Sequence, residues 1–217
     1  LVGSEMCIRD RSLAVPQMPE TRIQSRNRAA ILDAGLEVFS RYGFRGATLD
    51  QIAGEAGLSK PNLLYYFQSK EAIHRALLLQ LMDAWLEPLR DIDPAGEPLD
   101  EMLDYVRRKL ALSRDYPRES RLFANEILSG APHIDDTLAS TLRDLVDGAA
   151  ALIADWVAEG RLAQVDPHHT IMSVWALTQH YADFDVQVRA VLDTDDPLRG
   201  AEAHLTQLFD RLLRPGA

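Results

Sequence analysis

The stretch Thr48–Lys70, TLDQIAGEAGLSKPNLLYYFQSK, limits the possible folds of this chain more than any other segment. Its apolar residues recur at spacings that let two short helices bury one small shared core, with Gly57 at the sharp turn between them. Thr48 and Gln51 have the spacing of a capping box at the start of the first helix, and Ser59 can cap the second. The stretch therefore predicts a helix-turn-helix.

The second of these helices, expected over about residues 60–67, carries a polar and aromatic face where a buried helix would have continued apolar. A helix with such a face can enter the major groove of DNA, which is wide enough to admit it. Because asparagine can pair with adenine through two hydrogen bonds, Asn62 is expected to set base preference. We predict DNA contacts from Lys60, Pro61, Asn62 and Tyr65 near base edges and from Thr48, Tyr66 and Lys70 toward phosphate.

An earlier helix is predicted by the apolar face formed by Ile31, Ala34, Gly35, Val38, Phe39 and Tyr42. Gly43 is expected to end it. The preceding segment, Thr21–Arg28, contains Arg22, Arg26 and Arg28. It is interpreted either as a basic arm that reaches phosphates or a minor groove, or as a solvated lead-in to the helix.

These motifs resemble the N-terminal DNA-binding domain of TetR-family transcriptional regulators over roughly residues 28–76. The shared residues are Phe39-Ser40-Arg41-Tyr42-Gly43, Thr48-Leu49, Ile52-Ala53, Ala56-Gly57-Leu58-Ser59-Lys60, Tyr66-Phe67 and Ser69-Lys70-Glu71. Many members carry Tyr where Leu64 stands, so the phosphate contact of that Tyr is expected from Tyr65 instead. The resemblance implies a repressor that binds double-stranded operator DNA as a homodimer, with no enzymatic activity and no cofactor.

The rest of the chain is expected to be helical, because no segment alternates convincingly with period two. A connector helix capped by Ser69 should run to about Arg90, with Pro88 able to break or kink its last turn. Further helices are predicted over residues 99–114, 117–129, 135–159, 167–191 and 197–213.

We therefore predict an all-α fold, in which an N-terminal three-helix helix-turn-helix head is joined by the connector helix to a helical body. Residues 1–20 are expected to be a disordered leader whose native origin stays open. The DNA-binding domain is predicted at residues 21–68, and the ligand-binding and dimerisation domain at residues 69–217.

The net charge of −10 argues at first against a nucleic-acid partner, but the acidity is unevenly distributed. Between Glu20 and Arg75 eight Lys and Arg stand against six Asp and Glu, whereas from Ala76 onward 13 stand against 25. Affinity for DNA should therefore depend on a few placed cations and on base contacts. With Cys7 as the single cysteine and no apolar run near the roughly 20 residues of a membrane span, we expect a soluble cytoplasmic protein without membrane contact.

A candidate ligand site lies in the body, where Ile171, Trp175, Gln179 and Asp183 are spaced by four and project from one stripe of a helix. The flat Trp175 surface next to the Gln179 amide suits a small planar ligand with its own donor and acceptor groups. The alternative also stays open that Trp175 is an ordinary core residue and Gln179 a buried amide with satisfied hydrogen bonds.

Further matches narrow the resemblance to the TetR-family regulators of pyrimidine utilisation. They include Ser113-Arg114-Asp115-Tyr116-Pro117, Ser120-Arg121-Leu122-Phe123, Gly130-Ala131-Pro132, Trp175-Ala176 and Thr178–Phe184. This resemblance implies a small-molecule effector, uracil or thymine, that releases the repressor from DNA and so controls pyrimidine catabolism. The ligand-binding residues expected on this basis are Trp85, Phe123, Trp175, Gln179 and Asp183.

The resemblance also places the dimer contact on the last two long predicted helices. Leu205, Leu208, Phe209 and Leu212 form a fitting apolar stripe there, which could equally be intrachain core.

Two alternatives remain open from the sequence. The same DNA-binding head could respond to a different small aromatic or amphipathic ligand. A small metal-dependent hydrolase is the other alternative, because His168, His169, His180 and Asp183 lie within 16 residues of one another. The chain has no HExxH motif, phosphate loop or nucleophile elbow, so we expect no metal site and no catalytic residue.

Overall fold

The computed structural model describes residues 21–216, and all regular secondary structure among them is helical. The elements are α1 (Arg22–Gly46), α2 (Leu49–Glu55), α3 (Lys60–Tyr66), α4 (Lys70–Arg90), α5 (Pro98–Asp115), α6 (Pro117–Leu128), α7 (Asp135–Thr137), a π-helical turn (Leu138–Leu142), α8 (Arg143–Ala158), α9 (Pro167–Asp183), α10 (Asp185–Leu192) and α11 (Ala201–Leu213). The all-α prediction is confirmed. The expected leader at residues 1–20 lies outside the described residues.

Helices α1 to α3 form the head, and their ends follow from local sequence. The predicted capping box is present, with the Thr48 hydroxyl accepting from the Gln51 N–H at 3.2 Å and the Gln51 side chain accepting from the Thr48 N–H at 2.8 Å. Gly57 turns the chain between α2 and α3 with φ +66°, a conformation that strongly favours glycine. Gly43 has φ +69° and interrupts α1 where its end was predicted.

The segment Thr21–Arg28 forms the beginning of α1 and is not an arm ahead of it, and a DNA contact from its arginines stays a prediction. Thr21 forms a capping box with Gln24, which starts the helix at Arg22. The Arg28 guanidinium lies over the Phe67 ring, 4.3 Å from its centroid, and so packs against the end of α3.

The connector α4 belongs to two hydrophobic cores at once. Leu77 and Trp85 are buried with the core of the head, while Leu89, near the end of the same helix, is buried with the core of the body. Pro88 is buried inside α4 without ending it, because the helix continues to Arg90. A displacement of α4 within the body must therefore also reach the packing of the head.

The body is built on a core shared by α5, α8, α9 and α11, with α6 packed against α9. Its largest fully buried side chains include Tyr105, Trp156 and Phe209, and each buried apolar side chain of this size contributes about 1.5–3 kcal/mol. Among the described residues, no helix has the length and apolar character that crossing a membrane requires.

Three helix boundaries in the body differ from the prediction. The helix expected over 167–191 is broken at Phe184, where the Arg121 guanidinium takes the Ala182 carbonyl at 3.1 Å. The helix expected from Pro197 begins at Ala201, because the Asp196 carboxylate accepts from the Leu198 N–H and holds a turn. The helix expected over 135–159 contains the π-helical turn, where the Ser140 hydroxyl bonds the Asp136 carbonyl at 2.8 Å.

Candidate DNA interface and ligand site

The outward face of α3 is fixed by one buried residue. Leu63 is fully buried in the head core, whereas Lys60, Pro61 and Asn62 are exposed. Tyr65 exposes 70% of its surface. Because neighbouring positions on a helix are rotated by roughly 100°, anchoring Leu63 turns these four side chains away from the core. The predicted base-facing residues thus share one accessible surface.

The two tyrosines of α3 are oriented by α1. Gln24 Nε2 donates to the Tyr65 hydroxyl at 3.2 Å, and Asn27 Nδ2 donates to the Tyr66 hydroxyl at 2.9 Å. A tyrosine hydroxyl that accepts one hydrogen bond can still donate its own proton, for example to a phosphate oxygen. Sequence reasoning missed Gln24 and Asn27 because only the apolar face of α1 was used to predict that helix.

Lys60 and Thr48 have partners within the head. Lys60 Nζ lies 2.9 Å from Asp50 Oδ2, and because both side chains are exposed the pair contributes little to stability. A phosphate can therefore compete with Asp50 for this cation. The Thr48 hydroxyl is half of the capping box, so any phosphate contact would be added to a structural role.

Lys70 has a structural role that the sequence did not indicate. Its ammonium donates to the carbonyl oxygens of Phe44 at 2.7 Å and Ala47 at 3.0 Å, and it lies 4.5 Å from the centroid of the Phe44 ring. These bonds tie the start of the connector to the last turn of α1 and to the residue that follows it. The phosphate contact of Lys70 stays a prediction, and one N–H of the ammonium is left for it.

The interior of the body contains a buried cation, Lys109. Its ammonium donates to the Trp85 carbonyl at 3.1 Å and lies 5.8 Å from the centroid of the Trp85 ring. Burial lowers the pKa of Lys109 to about 7, although the neighbouring Asp183 raises it in part. The sequence carried a signal for this residue that was not used: Lys109 stands four residues after Tyr105 and three after Val106, on the apolar face of α5.

Asp183 reaches the same interior region from the end of α9. Its carboxylate accepts a hydrogen bond from the Ser120 hydroxyl at 2.6 Å. Burial raises the pKa of Asp183, opposed by the Ser120 hydrogen bond and by the charges of Arg121, His180 and Lys109. Lys109 and Asp183 are thus close enough for each charge to act on the other, and burial disfavours the ionised form of both.

The two predicted tryptophans differ in their hydrogen bonding. Trp175 is half-buried, and its Nε1 donates to the Tyr105 hydroxyl at 2.6 Å. Trp85 is buried, and its Nε1 has no hydrogen-bond partner among the described residues. An unpaired buried N–H costs about 1–3 kcal/mol, so a ligand carbonyl at this point would be stabilising.

The structure brings only some of the predicted ligand-binding residues together. Lys109 donates to the Trp85 carbonyl and acts on Asp183 only through its charge, without a direct ion pair. The half-buried Gln179 lies one helical turn from both Trp175 and Asp183. Phe123 packs instead against the small cluster of Leu78, Ala131 and Ile134. Its ligand contact, like those of the other four, stays a prediction.

A cleft leads from the surface to Trp85. It has a volume of about 570 Å³ and runs between α1 and α4. Its lining also includes Arg28, Asp33, Leu112, Tyr116 and Glu119. Lys109 and Asp183 are not among its lining residues, and a small molecule in this cleft would contact both the head and the connector.

The apolar stripe of α11 is divided between core and surface. Leu205 and Phe209 are buried within the chain, whereas Leu208 and Leu212 are 39% and 44% exposed. Other exposed apolar residues on α9 and α10 are Met172, Leu177, Val186, Val191 and Leu192. The intrachain-core interpretation is confirmed for Leu205 and Phe209, and a dimer contact through Leu208 and Leu212 stays a prediction.

The histidines considered for a hydrolase do not form a common site. His168 pairs with Asp147, with Nε2 2.9 Å from Oδ1, and both side chains are exposed. The His180 ring stacks on Phe184 with the centroids 5.0 Å apart. Asp183 bonds Ser120 instead of a histidine.

The two parts of the chain match two family models. Residues 31–77 match the model described as bacterial regulatory proteins, tetR family, and residues 78–215 match the model described as the YcdC-like protein, C-terminal region. A solved bacterial regulatory protein of the tetR family from Rhodococcus RHA1 superposes with a TM-score of 0.71, covering 88% of this chain and 99% of that chain at 19% identity. The likeness to that structure supports the fold.

Two curated relatives are similar in sequence. The HTH-type transcriptional regulator RutR of Escherichia coli K12 is 52% identical over 171 residues, which are 79% of this chain and 81% of RutR. The HTH-type transcriptional regulator BetI of Escherichia coli O139:H28 is 40% identical over 83 residues, which are 36% of this chain and 42% of BetI. These relatives are transcriptional regulators and not enzymes.

Proposed function

We propose, because this chain belongs to the TetR family of bacterial transcriptional regulators, that it represses genes of pyrimidine catabolism as a homodimer bound to operator DNA. The signal that releases the DNA is a small planar ligand, uracil or thymine, bound inside the body. The observation that carries the ligand assignment is that the body holds a buried Lys109, a half-buried Asp183 whose charge acts on it, and the unpaired Trp85 N–H.

The buried groups complement the edge of uracil. Uracil presents a carbonyl, an N–H and a second carbonyl in a row, and so requires a donor, an acceptor and a donor. Trp85 Nε1 and the Lys109 ammonium can donate to the carbonyls, while the Asp183 carboxylate can accept from the N–H. The Gln179 amide can do either. At the position of that N–H, cytosine has a ring nitrogen with a lone pair. This lone pair would face the Asp183 carboxylate, and two acceptors cannot form a hydrogen bond with each other.

The ligand would act on DNA binding through the connector. Trp85 belongs to α4, and Lys109 on α5 holds the carbonyl of that same residue. Ligand contacts with Trp85 and Lys109 would therefore affect the position of α4 relative to the rest of the body. If the two arrangements of α4 set different separations of the paired α3 helices, only one suits half-sites about 34–36 Å apart. A tenfold change in repression needs about 1.4 kcal/mol of differential ligand affinity.

The homodimer contact is assigned to the exposed apolar residues of α9, α10 and α11. Leu208 and Leu212 lie on this surface, whereas the neighbouring Leu205 and Phe209 are buried in the intrachain core. We expect the double variant Leu208→Glu with Leu212→Glu to be monomeric by analytical ultracentrifugation, because it would place four carboxylates across one symmetric contact. The exposed pair Asp147→Ala with His168→Ala is the control. A double variant that sediments as a dimer would move the interface elsewhere.

The first test of the effector is a thermal-shift titration of the protein with uracil, thymine and cytosine. A ligand at about a hundredfold excess over its dissociation constant adds about 2.7 kcal/mol to the free energy of unfolding, so binding is easily detected. We expect uracil or thymine to raise the melting temperature and cytosine not to. DNA duplexes selected by the protein from a random-sequence library then show whether the same ligand lowers DNA affinity.

The outcomes separate the parts of the proposal. A response to none of the three bases, together with tight binding to selected duplexes, would keep the DNA-binding regulator and refute the pyrimidine effector. A response to an unrelated planar aromatic compound would favour the alternative effector class. Binding of uracil without any change in DNA affinity would contradict the coupling through α4.

A further inference from the structure

Two histidines and a glutamate from three separate parts of the chain meet where the head, the connector and the body join. His74 lies on α4, Glu126 on α6, and His133 in the turn before α7. Nε2 of His74 is 3.2 Å from Glu126 Oε2, and Nδ1 of His133 is 3.0 Å from Glu126 Oε1. One ligand atom from each residue lies within 4.8 Å of the other two.

We propose that this cluster binds a divalent transition-metal ion of the zinc class. Two imidazoles and a carboxylate are a donor set that suits Zn²⁺. Bonds of about 2.0–2.2 Å place tetrahedral ligand atoms roughly 3.3 Å apart. One oxygen, Glu126 Oε2, is already near this distance from both imidazoles, at 3.2 Å from His74 Nε2 and 3.1 Å from His133 Nδ1. Rotation of His133, whose side chain is the most exposed of the three, would close the remaining gap.

The directions of the pKa shifts of two of these residues are compatible with metal binding, and the proposal itself rests on the geometry of the cluster. Metal binding needs neutral imidazoles and an ionised carboxylate. Burial lowers the pKa of His74, which favours its neutral form. Burial raises the pKa of Glu126. Hydrogen bonds from the His133 backbone N–H and from both imidazoles outweigh this effect, so the pKa of Glu126 lies below its ordinary value.

The surroundings hold the imidazoles in place. Arg75 donates to the His133 carbonyl and pairs with Asp136 at 2.9 Å, so the turn that carries His133 is tied to α4. The rings of Phe39 and Phe44 lie 4.8 Å from that of His74. Nδ1 of His74 has no partner among the described residues. With a metal on Nε2, the Nδ1–H can point at an aromatic ring, and the Phe39 contact is of the T-shaped kind.

The cluster opens on a cleft of about 690 Å³, lined also by Tyr42, Arg45, Asn125 and Ser129. With three protein ligands, a tetrahedral ion would keep one position open toward this cleft for water or another small ligand. The site does not include Lys109 or Asp183, so the metal proposal does not depend on the identity of the proposed pyrimidine effector.

A metal here would join α4 to α6 directly behind the head. His74 is four residues from the start of α4, and its ring contacts Phe39 and Phe44 of the head. Binding should therefore restrict the connector at the end nearest the DNA interface. The ion would act on the same helix as the effector but from the opposite end.

The test uses the untagged full-length protein with Zn²⁺ or Co²⁺ as the probe. Metal content after dialysis, the visible absorption of bound Co²⁺ and the melting temperature are measured for the wild type, His133→Ala, His133→Gln and Glu126→Gln. His168→Ala removes an exposed histidine elsewhere and serves as the matched control, and Cys7→Ser removes the one thiol.

We expect one metal ion per chain, a raised melting temperature, and Co²⁺ absorption in the wild type, His168→Ala and Cys7→Ser. Loss of one ligand should weaken binding by at least about tenfold in the His133 and Glu126 variants. The Zn²⁺-free melting curve of each variant shows whether it is folded, and His133→Gln keeps a polar side chain if the alanine variant is not. Unchanged metal affinity in folded His133 and Glu126 variants, or no binding by the wild type, would overturn the proposal.

Discussion

The DNA-binding head and the interior of the body differ in how far apart in sequence their functional residues lie. In the head, Thr48 through Lys70 supply the caps, the turn, the buried anchor and the exposed face within one short stretch. In the body, Trp85, Lys109, Ser120 and Asp183 come from four different helices and meet only after folding. The head can therefore be interpreted from spacing, whereas the body site depends on how helices pack.

The largest expected effect tests whether one residue of the head sets the whole α3 face. Leu63→Ala removes a fully buried side chain and should lower the free energy of unfolding of the head by about 2–5 kcal/mol. Leu64→Ala, at the adjacent exposed position, is the control and should cost far less. Chemical denaturation followed by circular dichroism measures both. Equal effects at the two positions would mean that Leu63 does not anchor the helix.

The next prediction addresses the buried cation of the body. Burial lowers the pKa of Lys109 from 10.5 to about 7, so between these values the unfolded chain binds more protons than the folded one. Stability should therefore rise with pH above about 7, by up to about 1.4 kcal/mol per pH unit. The window is kept below pH 9 because burial raises the pKa of Tyr105 in the folded protein, so at higher pH the unfolded chain would lose this proton first and offset the rise.

Lys109→Met should flatten this rise and abolish the thermal shift with uracil, because it removes the titrating group and a proposed ligand donor. Arg108→Met, on the exposed side of the same helix, is the matched control. Urea denaturation at a series of pH values provides the measurement. A wild-type stability that stays flat or falls between pH 7 and 9 would contradict the assignment of a buried, easily deprotonated Lys109.

Particular residues show what the sequence could and could not predict. Thr48, Gln51, Gly57 and Ser59 were predicted correctly because each acts on neighbours within three or four residues. Lys70 was predicted only as a phosphate contact, since its carbonyl partners lie 23 and 26 positions earlier in the chain. The break of α9 at Phe184 was not predicted because it involves a distant residue. Arg121, from another helix, donates a hydrogen bond to the Ala182 carbonyl.

The predicted ligand-binding residues show the same difference between features set by local spacing and contacts made by residues distant in sequence. Trp175 and Gln179 share one helical stripe and could be proposed from spacing, but the partner of Trp175 is Tyr105, 70 residues away. The cluster of His74, Glu126 and His133 could not be predicted from the sequence because its members form no local motif. His74 and Glu126 are 52 residues apart, and Glu126 and His133 are 7 apart.

A smaller effect is expected within the α3 face itself. Asn62→Ala should lower the preference for the selected duplex over a single-base variant at one adenine by about 1–3 kcal/mol. Lys60 is predicted near base edges, but if this exposed cation leaves Asp50 for a phosphate instead, Lys60→Ala should weaken binding to all duplexes evenly and reduce the salt dependence. Fluorescence anisotropy on paired duplexes at several salt concentrations separates the two. Loss of affinity without loss of preference in Asn62→Ala would remove its base contact.

The smallest effect separates the two roles of Thr48, which is both a helix cap and a predicted phosphate contact. Thr48→Ala should cost about 1 kcal/mol of stability, because the Gln51 N–H loses its acceptor. Thr48→Asp keeps a good capping group and should retain stability, but it places a negative charge at the DNA surface. If Thr48 contacts phosphate, the aspartate variant will be stable and bind DNA weakly, whereas the alanine variant will be less stable and, once folded, will bind DNA less tightly than the wild type but better than the aspartate variant. If the aspartate variant binds DNA like the wild type, Thr48 is a cap alone, and its role in the head is local.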